Sequence, residues 1–172
     1  MKEQIQNLLN YFGYKVMKHN SEDKYNLDHA SKILTQSKQP IIFDIGANVG
    51  QSVIRYNKIF EKPIIHTFEP QKKEIDVLKE KFKHNQNIII NNLAVGKKNE
   101  NLEFYTYARR RASSLLKLKK NSKWLSEKLE QTKTKNESFN LDTFTTKVIT
   151  LDDYVKNHNI EKIDILKIDT QG

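Results

Sequence analysis

Apolar residues in this chain follow two patterns in turn: helical spacing first, then short unbroken runs. Ile5, Leu8, Leu9, Phe12 and Val16 fall at i, i+3, i+4, i+7 and i+11, one face of a helical period. This predicts an amphipathic N-terminal helix. Its other face carries Lys2, Glu3, Gln6 and Lys15; it is not the strongly basic face of a membrane-surface helix, so packing on the domain is expected. Residues 18–24 read as a polar loop and 28–37 as a second helix with Ile33 and Leu34 inward. From Pro40 the runs begin. Ile41-Ile42-Phe43, ending in Asp44, suits a strand buried on both faces. Residues 51–60 read as a helix, and Ile64 to Phe68, ending in Glu69, as a second strand. Pro70 suits the first turn of a helix that keeps Ile75, Leu78 and Phe82 in step to about residue 83. Ile88-Ile89-Ile90 is a third strand. This alternation predicts a doubly wound α/β sheet.

The middle is less regular. Leu102, Phe104 and Tyr105-Thr106-Tyr107 predict a strand in a β-rich insertion. Ser122 is placed to cap a short helix carrying Trp124, Leu125 and Leu129, and residues 131–140 read as a polar loop. Val148-Ile149 is a short strand. Thr150-Leu-Asp-Asp153 resembles a capping box opening a helix to about His158, with Asp152 and Asp153 as helix-start residues. Residues 163–168 form the last strand, ending in Asp169. His66 falls inside a buried strand and reads as core, and His158 as a partner for a helix end.

Composition narrows the classes. No stretch approaches the ~20 apolar residues of a membrane span, and mean hydropathy is −0.75. The start of the chain lacks the apolar region of a secretory signal, and a cytoplasmic location is expected. There is no Cys, which removes disulfide scaffolds, zinc–thiolate sites and Cys nucleophiles together. No His or carboxylate spacing marks a metal site. The net charge of +9 attracts polyanions in general. Lys and Asn are abundant along the whole chain, so this excess names no partner. The densest cluster is Arg109-Arg-Arg111 with Lys117, Lys119, Lys120 and Lys123. It reads as a solvated loop, or as an acceptor-side loop for an acidic glycan or phosphorylated substrate. It lacks the interleaved aromatics of a base-stacking surface.

The most informative segment is Asp44-Ile-Gly46-Ala-Asn48-Val-Gly50, where a buried strand hands over to a helix. Glycines there let backbone approach a ligand, and the helix N-terminus offers N–H groups to an anionic group such as a carboxylate. The loop is G-x-x-x-G rather than the dinucleotide G-x-G-x-x-G, which argues against NAD or FAD, and it lacks the Lys and Ser/Thr of a P-loop. Glu69 ends the second strand 19 residues beyond Gly50. An acidic residue about 20 residues past such a loop accepts hydrogen bonds from ribose hydroxyls, so a ribose-bearing ligand is expected.

Five segments in order, Asp44-Ile-Gly-Ala-Asn-Val-Gly50, Phe68-Glu69-Pro70, Asn92-Leu-Ala94-Val-Gly96, Ile149-Thr-Leu-Asp-Asp-Tyr154 and Leu166-Lys-Ile-Asp-Thr-Gln-Gly172, resemble the FkbM-type S-adenosylmethionine-dependent methyltransferases. The resemblance covers residues 41–172. It implies an α/β, Rossmann-like class I methyltransferase sheet with helices on both faces, residues 39–172 being its N-terminal part, preceded by a helical segment over 1–38. It implies S-adenosyl-L-methionine as methyl donor and a hydroxyl acceptor on a sugar or other small molecule. By carry-over, Asp44, Gly46, Asn48 and Gly50 line the methionine end of the cofactor, Glu69 holds the ribose hydroxyls, and Asn92 and Ala94 lie beside the adenine. Asp169 sits at the cofactor–acceptor junction, as catalytic base or as an orienting carboxylate. Ser113 and Ser114 either touch cofactor or acceptor or are merely solvated.

Methyltransferases of this kind order seven strands 3-2-1-4-5-7-6, and the chain stops just after the fourth. The 172 residues are therefore expected to be a C-terminally incomplete form, marginally stable, prone to association and nearly inactive. Two readings compete with O-methylation. A nucleic-acid methyltransferase gains from the charge, but Asp169-Thr-Gln-Gly172 stands where amino-methylating enzymes carry an Asn/Asp-Pro-Pro-aromatic motif. A cofactor-binding domain without activity is the other.

Overall fold

The computed structural model of the chain describes residues 27–35, 37–107, 113–116 and 140–170. The helices read at residues 5–16 and 122–129, the polar loop at 18–24, the basic cluster at 109–123, nearly all of the 131–140 loop, and Gln171 with Gly172 lie outside them. The chain divides into two units, residues 1–34 and 35–172.

In the first unit, α1 spans Leu27–Leu34, with Asp28 in its first turn and Lys32 in its last, each charge favourable to the helix dipole. The helix stops at Leu34 rather than running to residue 37. Ile33 and Leu34 are exposed, not inward: eight residues make barely two turns, and these two apolar residues fall at the fraying end.

The second unit holds β1 (Ile41–Ile45), α2 (Gln51–Ile59), β2 (Ile64–Phe68), α3 (Lys72–Phe82), β3 (Ile88–Asn91), β4 (Ala94–Val95), β5 (Glu100–Tyr107), β6 (Asn140–Ile149), α4 (Leu151–Asn157) and β7 (Ile165–Ile168). Four strands form a sheet in the order β3-β2-β1-β7, every pair parallel. That is the 3-2-1-4 portion of the order the resemblance implies. Alternate residues face opposite layers. Ile42, Ile65 and Ile88 pack with Val53 and Tyr56 of α2, while Ile90 joins Ile75 and Leu78 of α3. Phe43, Ile45 and Phe68 pack on the other face with Tyr154 of α4. Helices therefore cover both faces, which is why these strands read as unbroken apolar runs. Among the described residues no strand pairs with the far side of β7, where Leu166 and Ile168 are exposed.

The insertion differs from the sequence reading in two ways. β6 runs ten residues from Asn140, not two, and lies antiparallel to β5 with Phe104 opposite Phe144. Its inner residues Phe144, Thr146 and Val148 alternate with exposed Thr143, Thr145 and Lys147, a half-buried strand's period hidden by threonines. Ala94 and Val95, read only as part of a motif, form β4 against Val148 and Ile149. Pro70 also stands outside α3, whose N-cap is Gln71. The Asn92 side-chain amide donates to the carbonyls of Glu69 and Pro70 at 3.0 and 2.8 Å and bridges that segment before the helix begins. Asp153 behaves as read: its N–H donates to the Thr150 hydroxyl, which donates back to its carboxylate.

Tyr154 ties α4 to the sheet. Its ring meets Phe68 edge-on at 4.7 Å and Phe43 at 5.6 Å, and stacks on His158 at 4.0 Å. Its hydroxyl lies 2.8 Å from Nδ1 of buried His66 and accepts from the Asn91 amide. Burial, then the His158 charge, push the His66 pKa down to about 4, so the ring is neutral at pH 7. Tyr154→Phe leaves two polar groups short of a partner. Loss of buried hydrogen-bond partners costs about 1–3 kcal/mol, and urea unfolding at neutral pH should show a loss in that range without loss of the fold. An unchanged midpoint would mean that the hydroxyl is not bonded in solution.

Candidate functional site

Because the main sheet is parallel, the C-terminal ends of β1, β2 and β7 share one edge. β2 lies to one side of β1 and β7 to the other. Ligands of open α/β sheets bind at such a reversal point. A cavity of about 420 Å³ opens there, within the ~300–1,000 Å³ usual for small-ligand sites. Gly46, Ala47 and Asn48 form one wall with Gln51 and Ser52 at the start of α2. Phe68, Glu69 and Gln71 form the next. Leu93, Ala94, Val95 and Phe104 give an apolar side, Ser113 and Ser114 join it, and Lys167, Asp169 and Thr170 close the floor.

The loop after β1 bends through left-handed backbone at Gly46 (φ +80°), Asn48 (φ +50°) and Gly50 (φ +81°). The two glycines serve different contacts. A Cβ on Gly46 would lie 2.3 Å from the Asp169 carbonyl oxygen, so the loop can lie against the end of β7 only without one. A Cβ on Gly50 would lie 2.6 Å from the Phe82 ring and 2.8 Å from Leu78. Gly50 is therefore a packing glycine on α3 and does not line the cavity.

Glu69 is buried at 4% exposure. One carboxylate oxygen accepts from the Asn48 backbone N–H at 2.9 Å, the other from the Gln71 backbone N–H at 3.0 Å and its side-chain amide at 3.2 Å. This carboxylate thus holds the glycine loop to the end of β2. Burial pushes its pKa up, while the N–H groups of Gln71 and Asn48 pull it back. The oxygen bonded to Asn48 accepts one hydrogen bond and keeps capacity for a further donor, while the other already accepts two.

Asp44 is fully buried and does not reach the cavity. Its Oδ1 lies 2.9 Å from Lys167 Nζ. Burial pushes its pKa up, and Lys167 opposes the shift. Lys167 Nζ also lies 3.6 Å from Asp169 Oδ2 and donates to the Gly46 carbonyl at 3.3 Å. The Asp169 side chain is 72% exposed at the cavity floor. Ser113 and Ser114 are buried, and Ser114 exchanges two backbone hydrogen bonds with Tyr105; they are not solvated loop hydroxyls.

Of the residues singled out from sequence, the structure brings Gly46, Asn48, Glu69, Ala94 and Asp169 around one cavity. Asp44 lies beneath it, Gly50 behind it, and Asn92 outside it, its place in the wall taken by Leu93. Sequence reasoning passed over Lys167. Its signal was a cation in a run otherwise apolar on both faces, at the register position opposite Asp44. Among the described residues no group of three or more His, Asp or Glu side chains is arranged to hold a metal ion, and no helix is long and apolar enough to cross a membrane.

The fold is an open α/β sheet with a cavity of small-ligand size at the strand reversal. The model of the methyltransferase FkbM domain matches residues 44–172, three quarters of the chain, and the protein belongs to that family. No curated protein matches the chain. Among solved structures, one named "putative rRNA-methylase from Clostridium thermocellum" is similar at a TM-score of 0.34 and 13% identity, over 46% of this chain. The match spans 43% of that structure's length.

Glu69 has its pKa raised in the folded protein, so the folded state takes up its proton before the unfolded chain does. The stability this contributes is present in acid and lost as pH rises through the folded value. The melting temperature of the wild type relative to Glu69→Gln should therefore increase as pH falls from neutral, then level off below the ordinary glutamate value. A difference independent of pH would contradict the buried, loop-holding carboxylate.

Proposed function

We propose that this protein is an S-adenosylmethionine-dependent methyltransferase acting on a hydroxyl oxygen of a sugar or other small molecule. The observation that carries the reading is the meeting, in one cavity of a chain of this family, of the Gly46–Asn48 loop, Glu69 and Asp169. When bound, S-adenosylmethionine supplies an electrophilic methyl group on a sulfonium centre.

The residues present fit such a group. Glu69, with spare acceptor capacity on the oxygen bonded to Asn48, would accept a hydrogen bond from a ribose hydroxyl. Phe68, Leu93, Ala94 and Val95 offer an apolar slot for a planar base. The first turn of α2 starts at Gly50 without a side-chain cap, so its leading N–H groups have no acceptor within the helix. They suit a carboxylate at the methionine end. Asp169, exposed on the floor, would accept the proton that a hydroxyl acceptor must lose. Catalysis by such a site is mainly the holding of donor and acceptor in line.

Calorimetry should show binding of S-adenosylmethionine and S-adenosylhomocysteine and none of NAD. A hydrogen bond to a charged group contributes about 1.5–3 kcal/mol, so Glu69→Ala should weaken binding at least tenfold with the fold intact. An unchanged affinity would remove Glu69 from the site. With a labelled methyl donor, whatever label is transferred should pass to a glycan or small-molecule hydroxyl pool. Transfer to RNA alone would replace the acceptor assignment with a nucleic-acid one.

A further inference from the structure

Lys167 sits where three separate parts of the chain converge. It stands on β7 at the position paired with Asp44 on β1, so the two side chains leave the same face of the sheet. Its ammonium nitrogen lies 2.9 Å from Asp44 Oδ1, 3.3 Å from the Gly46 carbonyl and 3.6 Å from Asp169 Oδ2. These oxygens belong to the buried strand, the glycine loop and the cavity floor. An ammonium group carries three donors and no acceptor. Its hydrogen bond goes to the Gly46 carbonyl, and the carboxylates of Asp44 and Asp169 lie within ion-pair distance on either side.

Charge compensation alone does not account for this placement. Asp44 is fully buried, and a lysine that only neutralised it would need no contact with the loop. The Lys167 bond to Gly46 falls at the residue whose backbone lies against Asp169 with no room for a Cβ. The same cation therefore draws together both sides of the cavity floor. We propose that Lys167 is a positioning residue, which fixes the Gly46 loop and the Asp169 carboxylate relative to one another so that the site is formed before ligand arrives. The proposal rests on reading the cavity as the methyl-donor site.

The test uses the whole chain and two variants, Lys167→Met and Asp44→Asn/Lys167→Met. Removing one partner of a buried pair strands a charge, whereas removing both avoids this. The single variant should melt lower than the wild type, and the double should recover most of that loss. In the double variant, amide hydrogen exchange at Gly46, Asn48 and Asp169 should be at least tenfold faster than in the wild type. Its affinity for S-adenosylhomocysteine should be at least tenfold weaker. Wild-type exchange at these amides in the double variant would overturn the proposal and leave Lys167 as the counter-charge of Asp44. If the wild type binds no S-adenosylhomocysteine, the reading of the cavity fails, and the exchange rates still decide the role of Lys167.

Discussion

The two parallel pairings of β1 are the constraint on which the rest of the site depends. Ile45 is level with Phe68 on one side and with Ile168 on the other. All three strands therefore end at one height, and their next residues, Gly46, Glu69 and Asp169, arrive together. The Gly46 and Ala47 N–H groups donate to the Phe68 carbonyl, and Asp169 N–H donates to the Ile45 carbonyl, so the backbone itself locks the convergence. A slip of one residue in either pairing would turn each side chain to the opposite face. It would send Lys167 away from Asp44 and Glu69 away from the Asn48 N–H.

Two buried or half-buried polar contacts refine what the backbone sets. The Glu69 carboxylate holds the glycine loop from the β2 side, and the Lys167 ammonium holds it from the β7 side. Both place charge in poorly solvated surroundings, which is costly unless it is paired and hydrogen-bonded. Burial pushes the pKa values of Asp44 and Glu69 up. The placement thus works against stability at neutral pH, while it pre-forms a small polar floor under an apolar wall. Sites that carry out chemistry commonly show this compromise.

Much of the sheet was legible because strands buried on both faces cannot hide. Ile64, Ile65 and Phe68 mark the second strand although His66 and Thr67 interrupt the run, and its end is marked by Glu69. The loop after β1 was legible through Gly46 and Gly50, but sequence could not tell a glycine that admits a neighbouring strand from one that admits a helix. Both require left-handed backbone, and their neighbours, Asp169 and the Leu78–Phe82 pair, are distant in the chain. β6 escaped because threonine occupies inward and outward positions alike, which blurs the period of two. Lys167 escaped because its importance lies in the pairing of β1 with β7, more than 100 residues apart in sequence. Asn92 was placed beside the adenine from its motif alone; that its amide donates to the carbonyls of Glu69 and Pro70, more than 20 residues away, could not be read from it.

We propose that the edge where β1, β2 and β7 end is a methyl-donor site formed before ligand arrives. The most direct measurement is a titration of ¹⁵N-labelled protein with S-adenosylhomocysteine, followed by amide NMR. Shift changes should concentrate at residues 45–52, 68–71, 93–95 and 167–170, with the core of α4 and the outer part of β5 unmoved. Changes centred on other elements, or none at a saturating concentration, would contradict it.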